Sequence, residues 1–537
     1  MHLRTDTSSN AHFSRVPTIS RSRNAFSIAE KHVTTTQFDY LYPLYWKYIY
    51  PGDTLSITQA IMARLQTQIG PLYDDLYVDV HAWFTPMRLI QTNWARYQFN
   101  AQPTGPTQDN SSLTSPKITT TSLTGGFVAK TLYDYLGLPT ETATLAADTE
   151  HINNYLARAY NLIWNDNYRD QNLQNAVTVD VDDGPDNPAD YVLLKRGKRH
   201  DRFTSCLTAA QKGTAVTIPL GSTAPLELYG TTATTMRTAA TGAGAGTIAA
   251  ANFGVNASLP DNMAATAPMQ ADVTAHTRVN LASAVAASLN SFRTSVAVQH
   301  LLEADARGGT RDVEAIQHRW GVTVPDFRLQ RPEFLGGATF SFDGHIVPQT
   351  SATSGSSYQA GLAQFSQAMN MFSVNHSFVE HGVFMILVSA RSNITYQEGL
   401  QRELSYRTRY DWYQPEFSNL GEVAVLNKEI YFQGGAAAAD QETFGHQEYG
   451  YELRYSLNRV TGEMRSNYAT SLDSRHMADD YSSLPTLGSA WIVSNTAISR
   501  NIAVSAATAD PIQMNTMVSG RIARTLPMYS IPGLNRL

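Results

Sequence analysis

A mainly β fold, an antiparallel sandwich or jelly roll with long inserted loops and a few helices, is what this 537-residue sequence predicts. Three observations lead there. Leu76, Val78, Val80 and Ala82 alternate with Tyr77, Asp79, His81 and Trp83, which gives one strand two distinct faces. Further extended segments are expected far downstream, around residues 338–347, 378–391, 422–432, 447–455, 498–504 and 514–522. Strands drawn from both ends of a chain must share one core, so most of the intervening length is looped out as insertions.

Taken in order, residues 1–36 carry Arg4, Arg15, Arg21, Arg23 and Lys31 against Asp6 and Glu30, are rich in Ser and Thr, and show no sustained period. They read as a basic N-terminal arm ahead of a single large domain, 37–537. From Tyr40 to Trp46 the chain becomes extended and aromatic. Pro51-Gly52-Asp53 then reads as a turn before Leu55 and Ile57. In the middle, Val285, Leu289, Phe292 and Val296 step by four, three and four, and Gly308-Gly309 follows as a stop, which predicts a helix with one apolar face to pack. A second short helix is expected within Thr310–Trp320. Between Leu228 and Pro260 the only charge is Arg237, and the composition reduces to Ala, Thr and Gly. Such a segment cannot bury a core of its own and reads as a flexible inserted loop, 222–277 in its full extent.

Composition narrows the function. Charged residues make up 16% of the chain, against roughly 25% in typical soluble domains, while there are 27 Tyr and 20 Phe. Uncharged surface on that scale points to burial against other copies of the chain. The net charge of −6 excludes a molecule that coats DNA by overall charge, so any nucleic-acid contact is local. The lone Cys206 can form no intramolecular disulfide and no zinc site by itself, as expected for synthesis in a reducing cytoplasm. The first residues lack the layout of a signal peptide and no apolar run nears the length of a membrane span, so neither export by that route nor membrane insertion is expected.

No catalytic constellation stands out, and no cofactor is called for. Gly242-Ala243-Gly244-Ala245-Gly246 lacks the Gly-Lys-Ser/Thr of a phosphate loop, and no nucleophile elbow is present. His376 and Glu380 would share one strand face while His381 points the other way, so they read as structural residues and no metal site is assigned. The densest basic cluster is Lys195, Arg196, Lys198, Arg199 and Arg202, with Phe203 beside it. Lys and Arg there could hold phosphates while the ring stacks on a base. The alternative is a solvated loop, or one paired with acids of a neighbouring subunit. The N-terminal arm and the C-terminal Arg521, Arg524 and Arg536 compete for the same role.

Several long strings carry a family resemblance. They include Tyr77-Val78-Asp79-Val80-His81-Ala82-Trp83-Phe84-Thr85-Pro86-Met87-Arg88-Leu89, Leu194-Lys195-Arg196-Gly197-Lys198-Arg199-His200-Asp201-Arg202-Phe203, and Asp305-Ala306-Arg307-Gly308-Gly309-Thr310-Arg311. Farther on stand Arg328-Leu329-Gln330-Arg331-Pro332-Glu333-Phe334-Leu335-Gly336-Gly337, Leu420-Gly421-Glu422-Val423-Ala424-Val425-Leu426-Asn427-Lys428-Glu429-Ile430-Tyr431 and Pro527-Met528-Tyr529-Ser530-Ile531-Pro532-Gly533-Leu534. In wording and order these blocks resemble the major capsid proteins of the gokushovirus branch of the microviruses, from about Ser20 to the C-terminus, with breaks at the Ala/Thr/Gly segment and between Asn100 and Tyr191. Ala209-Ala210 depart from the bulkier residues the family often has before Gln-Lys-Gly, which leaves the subgroup open.

The resemblance implies a viral jelly roll whose copies form a small T=1 icosahedral shell around a circular single-stranded DNA genome. It implies a surface protrusion at the three-fold axes, where the 222–277 insertion falls, and host attachment through it. The implied partners are other copies of the chain, packaged DNA, small internal DNA-binding, scaffolding or pilot proteins of the phage, and a host surface receptor. The protein would then be a virion component assembled in the bacterial cytoplasm, and not an enzyme. A β-sandwich that binds or cleaves glycans is the competing reading. It would need a cleft with paired carboxylates, and no such pair is marked in the sequence.

Overall fold

The structure is a computed structural model. It describes residues 22–99, 113–119, 126–140, 151–217, 226–228, 234–238, 244–248, 269–271, 277–279, 289–328, 330–348, 362–435, 437–505 and 508–529. Its strands are β1 (Asn24–Thr36), β2 (Tyr42–Ile49), β3 (Thr54–Leu65), β4 (Leu76–Pro86), β5 (Leu226–Leu228), β6 (Thr234–Thr238), β7 (Gly244–Ile248), β8 (Met269–Ala271), β9 (Thr277–Val279), β10 (Glu333–Ser341), β11 (Asp343–Pro348), β12 (Leu362–Ser377), β13 (Gly382–Ser392), β14 (Glu422–Leu426), β15 (Thr443–Glu448) and β16 (Ile512–Arg524). Two antiparallel sheets dominate, ordered β1-β16-β3-β12-β11 and β10-β4-β13-β2.

The two sheets form a β-sandwich because alternate residues of each feed one apolar cluster. Ile57 and Ile61 of β3, Met514 and Val518 of β16, and Val374 of β12 meet Val78 and Val80 of β4 and Ile386 and Val388 of β13. Each fully buried side chain of this size contributes about 1.5–3 kcal/mol. The turn between β2 and β3 is the expected Pro51-Gly52-Asp53. Gly52 takes a positive φ of 87°, and the Asp53 carboxylate accepts the Tyr50 backbone N–H at 3.0 Å.

The second sheet is covered on its other face as well. Val383, Met385 and Leu387 of β13 and Trp83 of β4 pack into a second cluster with Tyr160, Ile163 and Trp164 of the helix Tyr155–Asn167. The whole of β13 is therefore buried, and β4, with Asp79 and His81 on this side, is nearly so. The sequence reading did not find this helix, because a buried arginine, Arg158, sits in the middle of its apolar face.

The chain divides into two compact units, residues 1–210 with 309–537, and residues 211–308. The second contains the expected insertion. Its described parts are β5 paired with β9, the sheet β7-β6-β8, and the helix Leu289–Arg307, which ends at Gly308-Gly309 as expected. The apolar steps Leu289, Phe292 and Val296 lie exposed on that helix, and Val285 falls outside the described residues. The second expected helix is Asp312–Trp320, closed by Gly321 in the left-handed region.

Several expected elements differ. Residues 24–36 of the expected arm are strand β1, paired along its length with the C-terminal β16, while residues 1–21 lie outside the described residues. The alternation is real there: Phe26, Ile28, His32 and Thr34 turn inward, but polar members at inward positions hide the period. The expected 338–347 strand is two, β10 and β11, broken at Phe342. β12, sixteen residues long, was missed because its apolar positions are separated by Ser and Asn. The expected strands at 422–432 and 447–455 are the short hairpin β14–β15 followed by helical turns, and 498–504 begins as a 3-10 turn.

Candidate nucleic-acid interface

The basic segment 195–203 threads between two parts of the chain. Arg196 donates its backbone N–H to Asp39 O at 2.8 Å and Lys198 to Ile492 O at 2.8 Å, while Ser494 N–H donates to Arg196 O. Backbone pairing on both sides fixes where each side chain goes. Arg196 turns onto the β4–β13 sheet, where its Nη1 donates to Asp79 Oδ2 at 2.9 Å and to Ser389 Oγ at 2.8 Å, with the guanidinium 4.9 Å from the Tyr168 ring centre. Arg391 from β13 donates to the same Asp79 oxygen at 2.7 Å, and Thr339 from β10 donates to Oδ1 at 2.7 Å. Burial acts to raise the Asp79 pKa, but the Arg391 and Arg196 guanidiniums outweigh it and hold the carboxyl well below the usual carboxylate range. Arg391 itself is brought down to about 10, first by burial and then by Arg196 beside it.

The next members are equally committed. Lys198 Nζ donates to Asp479 Oδ2 at 2.7 Å and to the Tyr481 hydroxyl at 3.2 Å, and lies 4.6 Å from the Trp491 ring centre. Arg202 pairs with Glu429, whose other oxygen is 3.4 Å from Arg402 Nη1. Phe203 is fully buried against Tyr396 and Phe444. The turn that buries it is built by Asp201, whose Oδ1 accepts the N–H groups of Phe203 and Thr204 and the Thr204 hydroxyl. Lys195 and Arg199 keep partial exposure, Lys195 with its Nζ 5.1 Å from the Tyr40 ring centre and Arg199 lying 4.4 Å from that of Tyr77.

Six residues close together in sequence thus end in separate places. Arg196, Lys198 and Arg202 neutralise Asp79, Asp479 and Glu429, Phe203 is core, Arg199 is partly exposed but 3.9 Å from Asp79, and Lys195 has no acid partner among the described residues. A basic run is ambiguous because a sequence does not show which acids return to it. Here those acids lie more than 100 residues away.

The other chemistry-bearing groups are similarly engaged. Arg88 makes a two-pronged pair with Glu380, and His381 packs edge-on to Trp94. Among the described residues no group of three or more His, Cys, Asp or Glu side chains is arranged to hold a metal ion. The buried Cys206 thiol has its pKa pushed up to about 12 by burial, which suppresses the thiolate. Among the described residues no helix is long and apolar enough to cross a membrane.

The family described as "Capsid protein (F protein)" of phages matches residues 14–534, nearly the entire length. The chain belongs to this phage capsid protein family. Capsid protein VP1 of Bdellovibrio phage phiMH2K is 39% identical over 502 residues, covering 92% of each chain. The VP1 proteins of Chlamydia phage 1 and Spiroplasma virus 4 are 33% and 32% identical, covering 98% and 96% of each chain. A full-length match of this kind makes the molecule a major capsid protein of the microvirus type, and the glycan-binding reading has no support. For a capsid protein the internal ion pairs make sense as braces between the sandwich and its long loops.

Proposed function

We propose that this capsid protein is the shell subunit of a small T=1 icosahedral particle enclosing a circular single-stranded DNA genome, and that its sandwich is a jelly roll. The end-to-end similarity to three viral VP1 proteins carries the first part. Strand order supports the second. Counting β1, β2, β3, β4, β10, β12, β13 and β16 as first to eighth, one sheet runs first-eighth-third-sixth and the other fifth-fourth-seventh-second. That is the order produced when nested strand pairs are rolled up, as in viral jelly rolls.

Leu404, Tyr410, Trp412 and Leu420 are each exposed, and apolar side chains of this kind are what neighbouring copies cover. The role is structural and not catalytic. The 222–277 insertion would form a surface protrusion at the three-fold axes and serve host attachment, with the receptor and the small internal, scaffolding or pilot proteins of the phage as further partners. Assembly would take place in the bacterial cytoplasm. Lys195 is the member of the basic segment most available to DNA, with the partly exposed Arg199 drawn to Asp79 at 3.9 Å.

The test is negative-stain microscopy of the protein co-expressed with its neighbouring phage genes. Uniform icosahedral particles are expected, and a persistent monomer would overturn the proposal. Deleting residues 230–256 should leave particles intact but abolish infection; unimpaired infection would remove the attachment role.

A further inference from the structure

The two faces of the sandwich differ in what covers them. The outer face of β10-β4-β13-β2 is buried under the helix Tyr155–Asn167 and its loops. Much of the outer face of β1-β16-β3-β12 is exposed among the described residues. Register shows what it presents, since residues paired across strands share a face. One row is Val33–Asn515–Met62–Met369 and the next is Lys31–Met517–Ala60–Met371. On one side of these rows come Thr35–Gln513–Arg64–Gln367, and on the other Ala29–Ser519–Thr58–Ser373 and Ser27–Arg521–Ser56–Asn375. The four methionines are 39–71% exposed and Val33 is 67% exposed.

The strands of this face carry outward cations, with Asp510 bonded to Thr35 at one edge. Lys31, Arg64 and Arg521 all project outward and exposed, and no carboxylate projects outward from the four strands, in a protein whose net charge is −6. Glu30, the acid of β1, is on the opposite side, where it acts on Tyr45. Asp343 reaches this face only from β11, at the sheet edge. Among the described residues Lys31, Arg64 and Arg521 have no carboxylate partner. Arg64 instead lies 5.6 Å from the ring centre of Phe365, on whose ring His345 stacks at 5.2 Å. Strand geometry puts Lys31 about 14 Å from Arg521 and about 17 Å from Arg64 along the backbone frame, with Arg64 and Arg521 about 28 Å apart. Beside Arg64 a hollow of about 700 Å³ opens between Val33, Met62, Asn515 and Tyr135, with Asp134 on its rim.

We infer that this exposed sheet face binds single-stranded nucleic acid, with phosphates on Lys31, Arg64 and Arg521 and bases lying on Phe365 and the methionine rows. The chemistry is that of a sequence-tolerant single-strand platform, in which unpaired cations track the backbone while hydroxyls and amides donate between them. Polarisable or aromatic groups accept any base. A duplex would hide the base faces that Phe365 and the thioethers are placed to meet. The inference rests on the shell reading and assigns the genome-facing surface within it.

The test measures fluorescence anisotropy of a fluorescein-labelled 20-nucleotide oligothymidine with the purified full-length chain across a salt series. Replacing all three cations (Lys31→Gln, Arg64→Gln, Arg521→Gln) should weaken binding roughly tenfold or more at low salt and reduce the log–log salt slope by about 2. Phe365→Ala should weaken it roughly fivefold or more with the slope unchanged. Removing the same charge elsewhere, through Arg407→Gln, Arg409→Gln and Arg454→Gln, should change neither affinity nor slope beyond twofold.

Unchanged affinity and slope in the first variant would overturn the inference. So would an equal loss in the control, which would reduce the effect to net charge. Co-expression with the phage genes separates the two readings. Wild-type particles together with triple-variant particles of the same diameter and a lower 260/280 nm absorbance ratio support the inference. Absence of wild-type particles would refute the shell reading whatever the oligonucleotide shows. Loss of particles in the variant with oligonucleotide binding retained would make the face a contact between copies and overturn the inference.

Discussion

Asp79→Asn is the most informative single change, because Asp79 is the acid that decides what the basic segment is for. The carboxylate is 3% exposed and accepts three hydrogen bonds, from Arg391 at 2.7 Å, Arg196 at 2.9 Å and Thr339 at 2.7 Å. Asparagine keeps the shape but removes the charge, leaving two nearly buried guanidiniums side by side with no anion between them. Arg199, 3.9 Å from the other oxygen, adds to the repulsion. Removing one partner of a buried pair costs about 3–5 kcal/mol, and the retained hydrogen-bonding shape of Asn puts the expected loss at about 3 kcal/mol.

Urea unfolding of the purified chain, followed by tryptophan fluorescence, reads this as a lower midpoint at unchanged slope. Arg196→Met should cost a comparable amount, whereas Arg199→Gln, partly exposed, should cost less than about 1 kcal/mol. If Asp79→Asn and Arg196→Met both fell below about 1 kcal/mol, the reasoning that this arginine is a structural brace would be refuted. Arg196 would then return to the pool of cations free for DNA.

Three further outcomes follow from the same geometry. His81 has its pKa lowered to about 4, first by burial and then by Arg196, so it stays neutral while an unfolded histidine protonates near 6.5; stability present above pH 6.5 should fall by about 3 kcal/mol towards pH 4, and a pH series on His81→Gln should lack that step. Cys206 should resist a thiol reagent at pH 8 in the folded chain and react fully in urea; rapid labelling of the native protein would contradict its burial. Gln59 lies in the sandwich core with neither amide atom hydrogen-bonded among the described residues, so Gln59→Met should raise stability by about 1–3 kcal/mol, measured by the same urea midpoint.

Some of the molecule was legible before folding. Period-two alternation in 76–83 marked β4, and alternation in 514–522 marked the core of β16, because side chains on a strand must sort to two faces. Gly308-Gly309 and the 312–320 spacing placed helix ends, because backbone conformation there is local. The long strings in the chain were enough to point to the capsid family, which the full-length match then showed. What the sequence by itself determined, therefore, was strand-rich architecture, low surface charge and membership of a family.

Only the tertiary structure decided which charges are free. Lys198 and Arg202 look as available as Lys31 and Arg521 when read along the chain, but Asp479 and Glu429 come back across 281 and 227 residues to neutralise the first two. Among the described residues no acid pairs with Lys31 or Arg521, and Asp510, at the edge of this face, accepts from Thr35 at 2.6 Å instead. The physical reason is that a charge is neutralised by proximity in space, and strand register, which brings β1 onto β16 across nearly the full chain, is set by long-range pairing and core burial.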